Sequence, residues 1–248
     1  MISEVITAVA SATFLPLARR VRKLWQRRSP LAVVAAPHIP KAWKLALPDA
    51  EPLHASVPLA HSGRRYRQMY EWLRTKGAYD YGLTALDLHA ENRSTEPLTI
   101  THIGVRKTDV GVPLRAALVA YPPAGAVQKE LIYFDLDEAD PTGRPARFDM
   151  GCLEPTGEQS YFLDREVRLE AGDSQTFHIA GAALRSRVSW ELSITILQAG
   201  KDRTITAVPE SGPLKTSGTP TEGFDGEWIW NWFAGDAASF IPAPHPIA

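Results

Sequence analysis

The sequence predicts a mainly β protein built on an antiparallel β-sandwich, and three observations support that prediction. Apolar and polar residues alternate with period two after Tyr81, as they do in half-buried strands. Turn-forming clusters such as NRSTEP, at 92–97, separate the alternating segments at short intervals. No helical pattern recurs between these segments, which argues against a parallel sheet of βαβ units.

Composition sets broad limits on the class of protein. The 248-residue chain is 44% apolar and 22% charged, which is ordinary for a globular protein. Its single cysteine, Cys152, excludes an intrachain disulfide and a multi-cysteine zinc site, and it fits a reducing compartment. The net charge of -1 hides an asymmetry, because residues 1–80 carry 13 Lys and Arg against 5 Asp and Glu, and residues 81–248 carry 14 against 23. The basic front is expected to attract the acidic body or an anionic surface.

Residues 1–28 are predicted to form a basic amphipathic helix. Apolar residues keep a helical spacing, and basic residues crowd the second half, including Arg19, Arg20, Arg22 and Lys23. A signal peptide is not predicted, because the charges follow the apolar run rather than precede it. A membrane span is not predicted either, because the run is short and contains Pro16.

Three partners are open for this helix. It can dock on its own domain or on a second copy, or lie on an anionic membrane surface. Nucleic acid is the least supported partner, because a charge cluster without a recognisable binding fold is weak evidence. Arginines that flank an apolar segment favour the cytoplasmic side of a membrane. We therefore predict a cytoplasmic protein, peripheral on the inner face of the membrane if lipid is the partner.

Residues 29–60 contain six prolines, which exclude a long helix. They predict a linker or an extended wrap over a surface, with Trp43 and Leu45 as points of attachment. The next domain, 61–221, opens with a short helix that ends at Gly77. Its apolar residues follow the i, i+3, i+4, i+7 spacing of a helix face: Tyr66, Met69, Tyr70 and Leu73.

The strands of this domain follow one another after Tyr81. In LTALDLHAEN, Leu86, Leu88 and Ala90 are predicted to point inward. LTITHIGVRK is the next strand, with a bulge near Gly104 where the alternation slips. Further strands are predicted within 113–121, 146–154, 161–172, 174–181, 187–197 and 202–208.

Four of these segments carry a resemblance: LHAENRSTEPLTITHIGV, VRLEAGDSQTFHI, VSWELSITIL and RTITAV. Together they look like the immunoglobulin-like sandwiches of uncharacterised actinobacterial proteins, over about residues 80–210. The resemblance implies the fold and transfers no catalytic residue, because that family has no assigned activity. The paired cysteines of an antibody domain are absent, but Trp190 is expected to serve as a core tryptophan.

The chain shows no phosphate loop, dinucleotide fingerprint, nucleophile elbow or zinc-ligand spacing, so no catalytic, cofactor or metal residue is predicted. Two groups of polar residues are candidate sites. Asp135, Asp137, Glu138 and Asp140 share one loop that could hold calcium, but a solvated acidic turn is favoured. His89, Glu91 and His102 could meet across a hairpin, but a polar outer face is favoured.

The C-terminal arm, 222–248, concentrates large apolar side chains in WIWNWF: Trp228, Trp230, Trp232 and Phe233. The segment fits a strand with the tryptophans on one face, or a short helix from Asp225 to Gly235, and the boundary signals favour the helix. Leaving the rings in water would cost several kcal/mol at ~25 cal/mol per Å2. We expect them to pack first on the protein itself, and otherwise to form a contact patch for a partner.

These observations predict a non-catalytic binding or assembly module, recruited to a membrane surface or a partner protein by its N-terminal helix. The candidate contact residues are the Trp-rich cluster and the basic residues of the first segment. The alternative is a small-ligand binding protein, for a sugar or nucleotide, or an enzyme accessory domain that uses an aromatic groove. The partner protein and the oligomeric state are not predicted.

Overall fold

The computed structural model describes residues 29–39, 43–54, 65–121, 129–149, 152–231 and 239–245. Over these residues the protein is mainly β, as predicted, with two short helices, α1 (Glu51–His54) and α2 (Arg65–Thr75). The strands are β1 (Leu31–Pro37), β2 (Trp43–Leu47), β3 (Tyr79–Tyr81), β4 (Leu83–Asn92), β5 (Leu98–Gly111), β6 (Ala117–Tyr121), β7 (Lys129–Asp135), β8 (Arg144–Asp149), β9 (Cys152–Pro155), β10 (Val167–Leu169), β11 (Ser174–Ala182), β12 (Arg187–Gln198), β13 (Lys201–Ala207), β14 (Leu214–Ser217), β15 (Glu227–Asn231) and β16 (Ser239–Pro242).

The strands form two sheets. One has six strands in the order β1-β4-β11-β7-β8-β9. The other has ten, in the order β10-β5-β12-β14-β3-β2-β6-β15-β16, with β13 also paired to β12. The sheets share a core in the manner of a β-sandwich, because β4 and β11 of the first and β5 and β12 of the second all contribute buried side chains to it.

Both sheets are mixed, which corrects the prediction of an antiparallel sandwich. Three pairs are parallel: β11 with β7, β14 with β3, and β15 with β6. In each pair the two strands are separated in sequence by other strands, and a long connection allows a strand to return in the same direction. Short turn signals fix only neighbouring hairpins, so they carried no information about these pairings.

The alternation predicted for β4 is confirmed, since Leu86, Leu88 and Ala90 are buried. A bulge does account for the slip near Gly104, but its extra residue is Thr101 rather than Gly104 itself. The pairing of β5 with β12 shifts register at two places, where Thr101 and Thr108 are the extra residues. Because Thr101 is an extra residue, the buried positions of β5 change from even-numbered ones, such as Ile100, to Ile103. This change produces the break in the apolar alternation that is seen in the sequence.

Trp190 lies at the centre of the shared core, as expected, and is fully buried. Its Nε1 donates a hydrogen bond of 3.0 Å to Oγ1 of Thr216. The ring also lies against Gly181, where an added Cβ would come within 2.6 Å of Trp190 Cζ2. Position 181 therefore has to be glycine if the indole is to keep this place between the sheets.

A second core lies under helix α2, on β2, β6 and β15. The helix matches the prediction, and Gly77 ends it in the left-handed region with φ +88°. Its buried side chains are Met69, Tyr70 and Leu73, and they pack on Leu45 and Val119 of the sheet. The strands under α2 extend the ten-stranded sheet beyond the part that packs on the six-stranded sheet.

The prediction of a linker or an extended surface wrap for 29–60 needs correction over the residues that the structure describes, but the predicted points of attachment, Trp43 and Leu45, are confirmed as buried residues. Residues 31–37 and 43–47 are strands of the two sheets, and Trp43 and Leu45 belong to the second core. The prolines fall at or outside the ends of these strands, at Pro30, Pro37 and Pro48, where a missing N–H costs no ladder bond. These three prolines bound two short strands and are compatible with strand formation between them.

A buried polar network centred on Asp80 joins the two cores. Tyr70 of α2 donates its hydroxyl to Asp80 Oδ1 at 2.7 Å, and Thr84 of β4 donates to Oδ2 at 2.8 Å. Thr84 Oγ1 lies 2.7 Å from Oγ1 of Thr216, which in turn accepts the bond from Trp190. Burial raises the pKa of Asp80, while Arg74 and the two hydroxyl donors oppose that rise.

Replacing Tyr70 with phenylalanine should test the network. The Tyr70→Phe variant keeps the ring in the second core and removes one donor from a buried carboxyl, which costs about 1–3 kcal/mol. Urea unfolding followed by fluorescence measures the loss. Tyr81→Phe is the matched control, because the Tyr81 hydroxyl bonds Thr219 at an exposed position and its removal should cost less than about 0.5 kcal/mol. Equal losses in the two variants would contradict this account.

Candidate binding surface around Tyr79

The candidate site lies on the face of the ten-stranded sheet that points away from both cores, which we call the outer face. Side chains alternate along a strand, so the neighbours of the core residues Asp80, Trp190 and Thr216 point to this face. These neighbours include Tyr79 on β3, Ser189 on β12 and Lys215 on β14. Lys215 and Ser189 are directly opposite each other across β14 and β12.

Tyr79 is the centre of the site. Its hydroxyl lies 3.1 Å from Oγ of Ser189, which fixes the ring across strand β14. Two cations contact this ring: Lys215 Nζ lies 5.3 Å from its centroid and Arg187 Cζ lies 5.5 Å from it. Both distances are within the range of cation–π attraction. The strands thus hold two positive charges beside one aromatic platform.

The site and its surroundings carry more positive than negative charge. Arg187 Nη2 bonds Asp109 Oδ2 at 3.1 Å, and Arg74 Nη1 lies 3.7 Å from Oδ2 of the buried Asp80. Lys215 forms no ion pair with any carboxylate in the described part of the chain. Burial lowers the pKa of Lys215, and the nearby Arg74 and Arg187 lower it further. One ammonium group therefore lies partly buried among other cations without a counter-charge.

Arg187 adds an unsatisfied donor. Its Nε is buried and has no hydrogen-bond partner among the described residues. The guanidinium lies close against Gly111, where an added Cβ would come within 2.8 Å of Nη2. Buried donors without acceptors are uncommon, because each carries the cost of lost hydration. Together with Lys215, this donor suits an oxyanion such as a carboxylate or a phosphate.

The tryptophan arm is a strand rather than the favoured short helix. Glu227–Asn231 pairs with β6 on one side and β16 on the other, so its backbone is satisfied by ladder bonds. Asp225, expected to cap a helix, instead bonds Arg115 at 2.8 Å. Alternating Trp and Ile residues suit a pleated surface buried on one side, and that local preference outweighs the boundary signals.

The strand places its tryptophans against the second core. Trp230 is 3% exposed and lies 5.1 Å from Phe240, and Trp228 is partly buried beside them. The expected packing on the protein itself is therefore confirmed for Trp230. The aromatic rings of this layer pack against one another. Trp43 Nε1 donates a hydrogen bond to the backbone carbonyl of Tyr66. Trp232 and Phe233 lie outside the described residues.

The basic candidates also lie outside the described residues: Arg19, Arg20, Arg22 and Lys23. Their role remains a prediction from the sequence, as does the helix of residues 1–28. None of the helices in the described part of the chain is both long and apolar enough to cross a membrane.

The acidic loop after β7 is tied to the sandwich by its carboxylates. Asp137 accepts bonds from the backbone amides of Leu184 and Arg185, at 2.7 and 3.0 Å, and from the hydroxyl of Ser186. Burial raises the pKa of Asp137, but these hydrogen bonds outweigh it and hold the pKa below its ordinary value. The described residues contain no group of three or more His, Cys, Asp and Glu arranged for a metal ion.

The second constellation, His89 with Glu91 and His102, does not form. The prediction assumed that β4 and β5 pair as a hairpin, but they belong to different sheets. His89 instead contacts Thr176 Oγ1 at 3.1 Å across β11, and His102 pairs with Thr195 on β12. The favoured alternative, polar outer faces, describes both positions.

Sequence reasoning missed the site around Tyr79. Its residues come from β3, β12 and β14, which are far apart in the chain, and β14 was not predicted as a strand. The available signal was the alternation of polar and core residues in RVSWEL and LKTS, which places Arg187, Ser189 and Lys215 next to buried residues on each strand. The pairing that brings them together could not be read from either segment.

No protein-family model matches the chain, and no curated protein matches its sequence.

Asp137 provides a pH test of the sandwich. Because the folded state lowers its pKa below the unfolded value of about 3.9, its stabilisation is complete above that pH and is lost as the pH falls through the folded pKa. Wild type should be about 1–3 kcal/mol more stable than Asp137→Asn near neutral pH, with the difference shrinking below about pH 4. Urea titrations at several pH values measure this difference.

Asp140→Asn is the matched control for that series, because Asp140 is an exposed carboxylate of the same loop. Its stability should follow wild type at every pH to within about 0.5 kcal/mol. A difference between wild type and Asp137→Asn that stays constant down to pH 3 would show that the carboxylate charge is not what anchors the loop.

Proposed function

We propose that this protein is a non-catalytic binding module that holds an acidic segment of a partner protein on the outer face of its ten-stranded sheet. The observation that carries the proposal is Lys215, a partly buried ammonium group beside an aromatic ring with no carboxylate partner among the described residues. A carboxylate from a partner would supply the missing charge at a place where water is already partly excluded.

The construction of the site favours binding over chemistry. Its side chains stand on paired strands and are fixed by the bond between Tyr79 and Ser189, so little conformational entropy is lost when a partner docks. The Ser189 and Tyr79 hydroxyls are bonded to each other, and the ammonium group lies over the tyrosine ring. Such an arrangement presents charge and shape to a partner surface, as an interface anchor does.

Recruitment by the N-terminal segment belongs to the same proposal. The basic residues of the predicted helix would bring the module to an anionic membrane on the cytoplasmic side, or to a partner protein. Each basic residue near a charged lipid surface contributes about 1 kcal/mol. The immunoglobulin-like assignment over residues 80–210 is likewise part of the proposal, supported by the shared core and the central position of Trp190.

The binding site can be tested with a fluorescein-labelled deca-glutamate peptide. Wild type should bind it with an affinity that falls as salt rises, and Lys215→Gln should weaken binding about tenfold, because the partner carboxylate loses its counter-charge. Fluorescence anisotropy at two salt concentrations measures both effects. Lys201→Gln is the matched control, since Lys201 is an exposed lysine at the turn into β13, and its affinity should stay within twofold of wild type.

Two outcomes would contradict the proposal that an acidic protein segment binds at this site. Equal affinities for wild type and Lys215→Gln would show that the peptide binds elsewhere. Tighter binding of inorganic polyphosphate than of the peptide, lost in Lys215→Gln, would assign the site to phosphate ligands rather than to a protein segment.

The recruitment step needs a separate experiment with vesicles. Full-length protein should co-sediment with phosphatidylserine-containing vesicles at low salt and much less with phosphatidylcholine alone. Replacing Arg19, Arg20, Arg22 and Lys23 with glutamine should reduce the bound fraction at least tenfold. Lys215→Gln serves as the control and should sediment like wild type. Identical sedimentation with both kinds of vesicle would remove the membrane from the proposal.

A further inference from the structure

Strand β1 forms one edge of the six-stranded sheet and is unusual in composition. Its seven residues, LAVVAAP, contain no charged side chain, and among the described strands β1 pairs only with β4. Val34 is 59% exposed on the solvent side of the sheet. An uncharged edge of this kind is a template for pairing with another strand.

The hydrogen bonds show which backbone groups remain available. His38 donates its N–H to the carbonyl of Ala85 at 2.9 Å, and Arg93 donates to the carbonyl of Pro30 at 2.8 Å. Bonding residues alternate along an antiparallel strand, so the bonds to β4 fall at positions 32, 34 and 36 between these two ends. The N–H and C=O groups of Leu31, Val33 and Ala35 therefore point away from β4.

The other sheet edges in the described residues carry features that discourage pairing. Strand β9 contains Glu154 and Pro155, and β16 ends in Pro242. Strand β10 has only three residues, with Arg168 at the centre, and β13 begins with the charged run Lys201–Arg203. Charges, prolines and short length are the usual ways in which proteins block an edge. Among these edges β1 alone has a run of six residues without any of them.

Strand β13 of the other sheet lies beside β1 but does not occupy its edge. Its backbone pairs with β12, and no backbone bond joins β13 to β1. The two strands lie close together, and Val33 of β1 and Ile205 of β13 both pack against the shared core. The sandwich is closed on this side by apolar packing, while the outward backbone groups of β1 have no described partner.

We infer that β1 is a homodimerisation edge, on which β1 of a second copy pairs in antiparallel fashion about a two-fold axis near Val33. This register sets Leu31 opposite Ala35 of the second copy and forms about six backbone hydrogen bonds. An antiparallel edge is its own complement across a two-fold axis, and an uncharged strand meets no like-charge repulsion from its copy. The strand is short, so the buried area is at the low end for stable interfaces and predicts a dissociation constant of about micromolar.

This inference does not rest on the proposed function, because β1 and the site around Tyr79 belong to different sheets. Lys215→Gln should leave the dimer unchanged, and a variant at β1 should leave peptide binding by the monomer unchanged. Failure of either proposal is therefore visible without affecting the other.

Sedimentation velocity of the full-length chain across a range of concentrations tests the dimer. Wild type should shift from monomer to dimer through the micromolar range. Val34→Lys places two like charges close together across the two-fold axis and should raise the dissociation constant at least tenfold. Val112→Lys is the matched control, because Val112 is 82% exposed on a distant strand end and its replacement should change the constant less than twofold.

Amide hydrogen exchange identifies the edge itself. At high protein concentration the N–H groups of Val33 and Ala35 should exchange at least tenfold more slowly than at low concentration, because dimerisation bonds them. Those of Ala32, Val34 and Ala36 should be protected at both concentrations by their bonds to β4. A chain that is monomeric at every concentration would overturn the inference. A dimer in which exchange at Val33 and Ala35 does not depend on concentration would overturn it too.

Discussion

The buried carboxyl of Asp80 is the constraint on which the two-core architecture depends. It lies where the sandwich ends and the helix-covered layer begins, and its oxygens take hydrogen bonds from α2 and β4. A buried carboxyl without such partners would be strongly destabilising. The folded protein therefore has to bring α2, β3 and β4 together at Asp80. Thr216 extends the same network to Trp190. A few polar atoms thereby set the relative position of elements that apolar packing alone would leave free to slide.

Local structure was readable from the sequence wherever one periodicity dominated a segment. The alternation in β4 and the helical spacing from Tyr66 to Leu73 both followed from residues close together in the chain, whereas the core position of Trp190 was expected from the resemblance to immunoglobulin-like sandwiches. The sequence pattern did not show which strands pair with one another. Strands β4 and β5 have the pattern of a hairpin and lie in different sheets, because strand polarity alone does not identify the neighbouring strand. The three parallel pairs were lost for the same reason.

The remaining errors came from signals with two physical meanings. Prolines between 29 and 60 exclude helix, but they are compatible with short strands when they fall at strand ends. Boundary residues around Trp228 suit a helix, yet the ladder bonds to β6 and β16 outweigh them. The site around Tyr79 is a product of strand pairing, since Tyr79, Ser189 and Lys215 become neighbours only when β3, β14 and β12 lie side by side.

The parallel pairing of β15 with β6 also has a consequence for how the chain reaches its folded state. Leu118 contacts Glu227 in that pair, so more than a hundred residues must be ordered or looped out before the contact forms. Contacts between such distant segments slow folding, since loop-closure entropy is lost before any pairing compensates for it. On the ribosome, the sandwich strands emerge before β15, and the layer under α2 stays incomplete until β15 and β16 have emerged. Until then the second core lacks Trp230 and Phe240, and incompletely covered apolar surface in a nascent chain is open to chaperones and to aggregation.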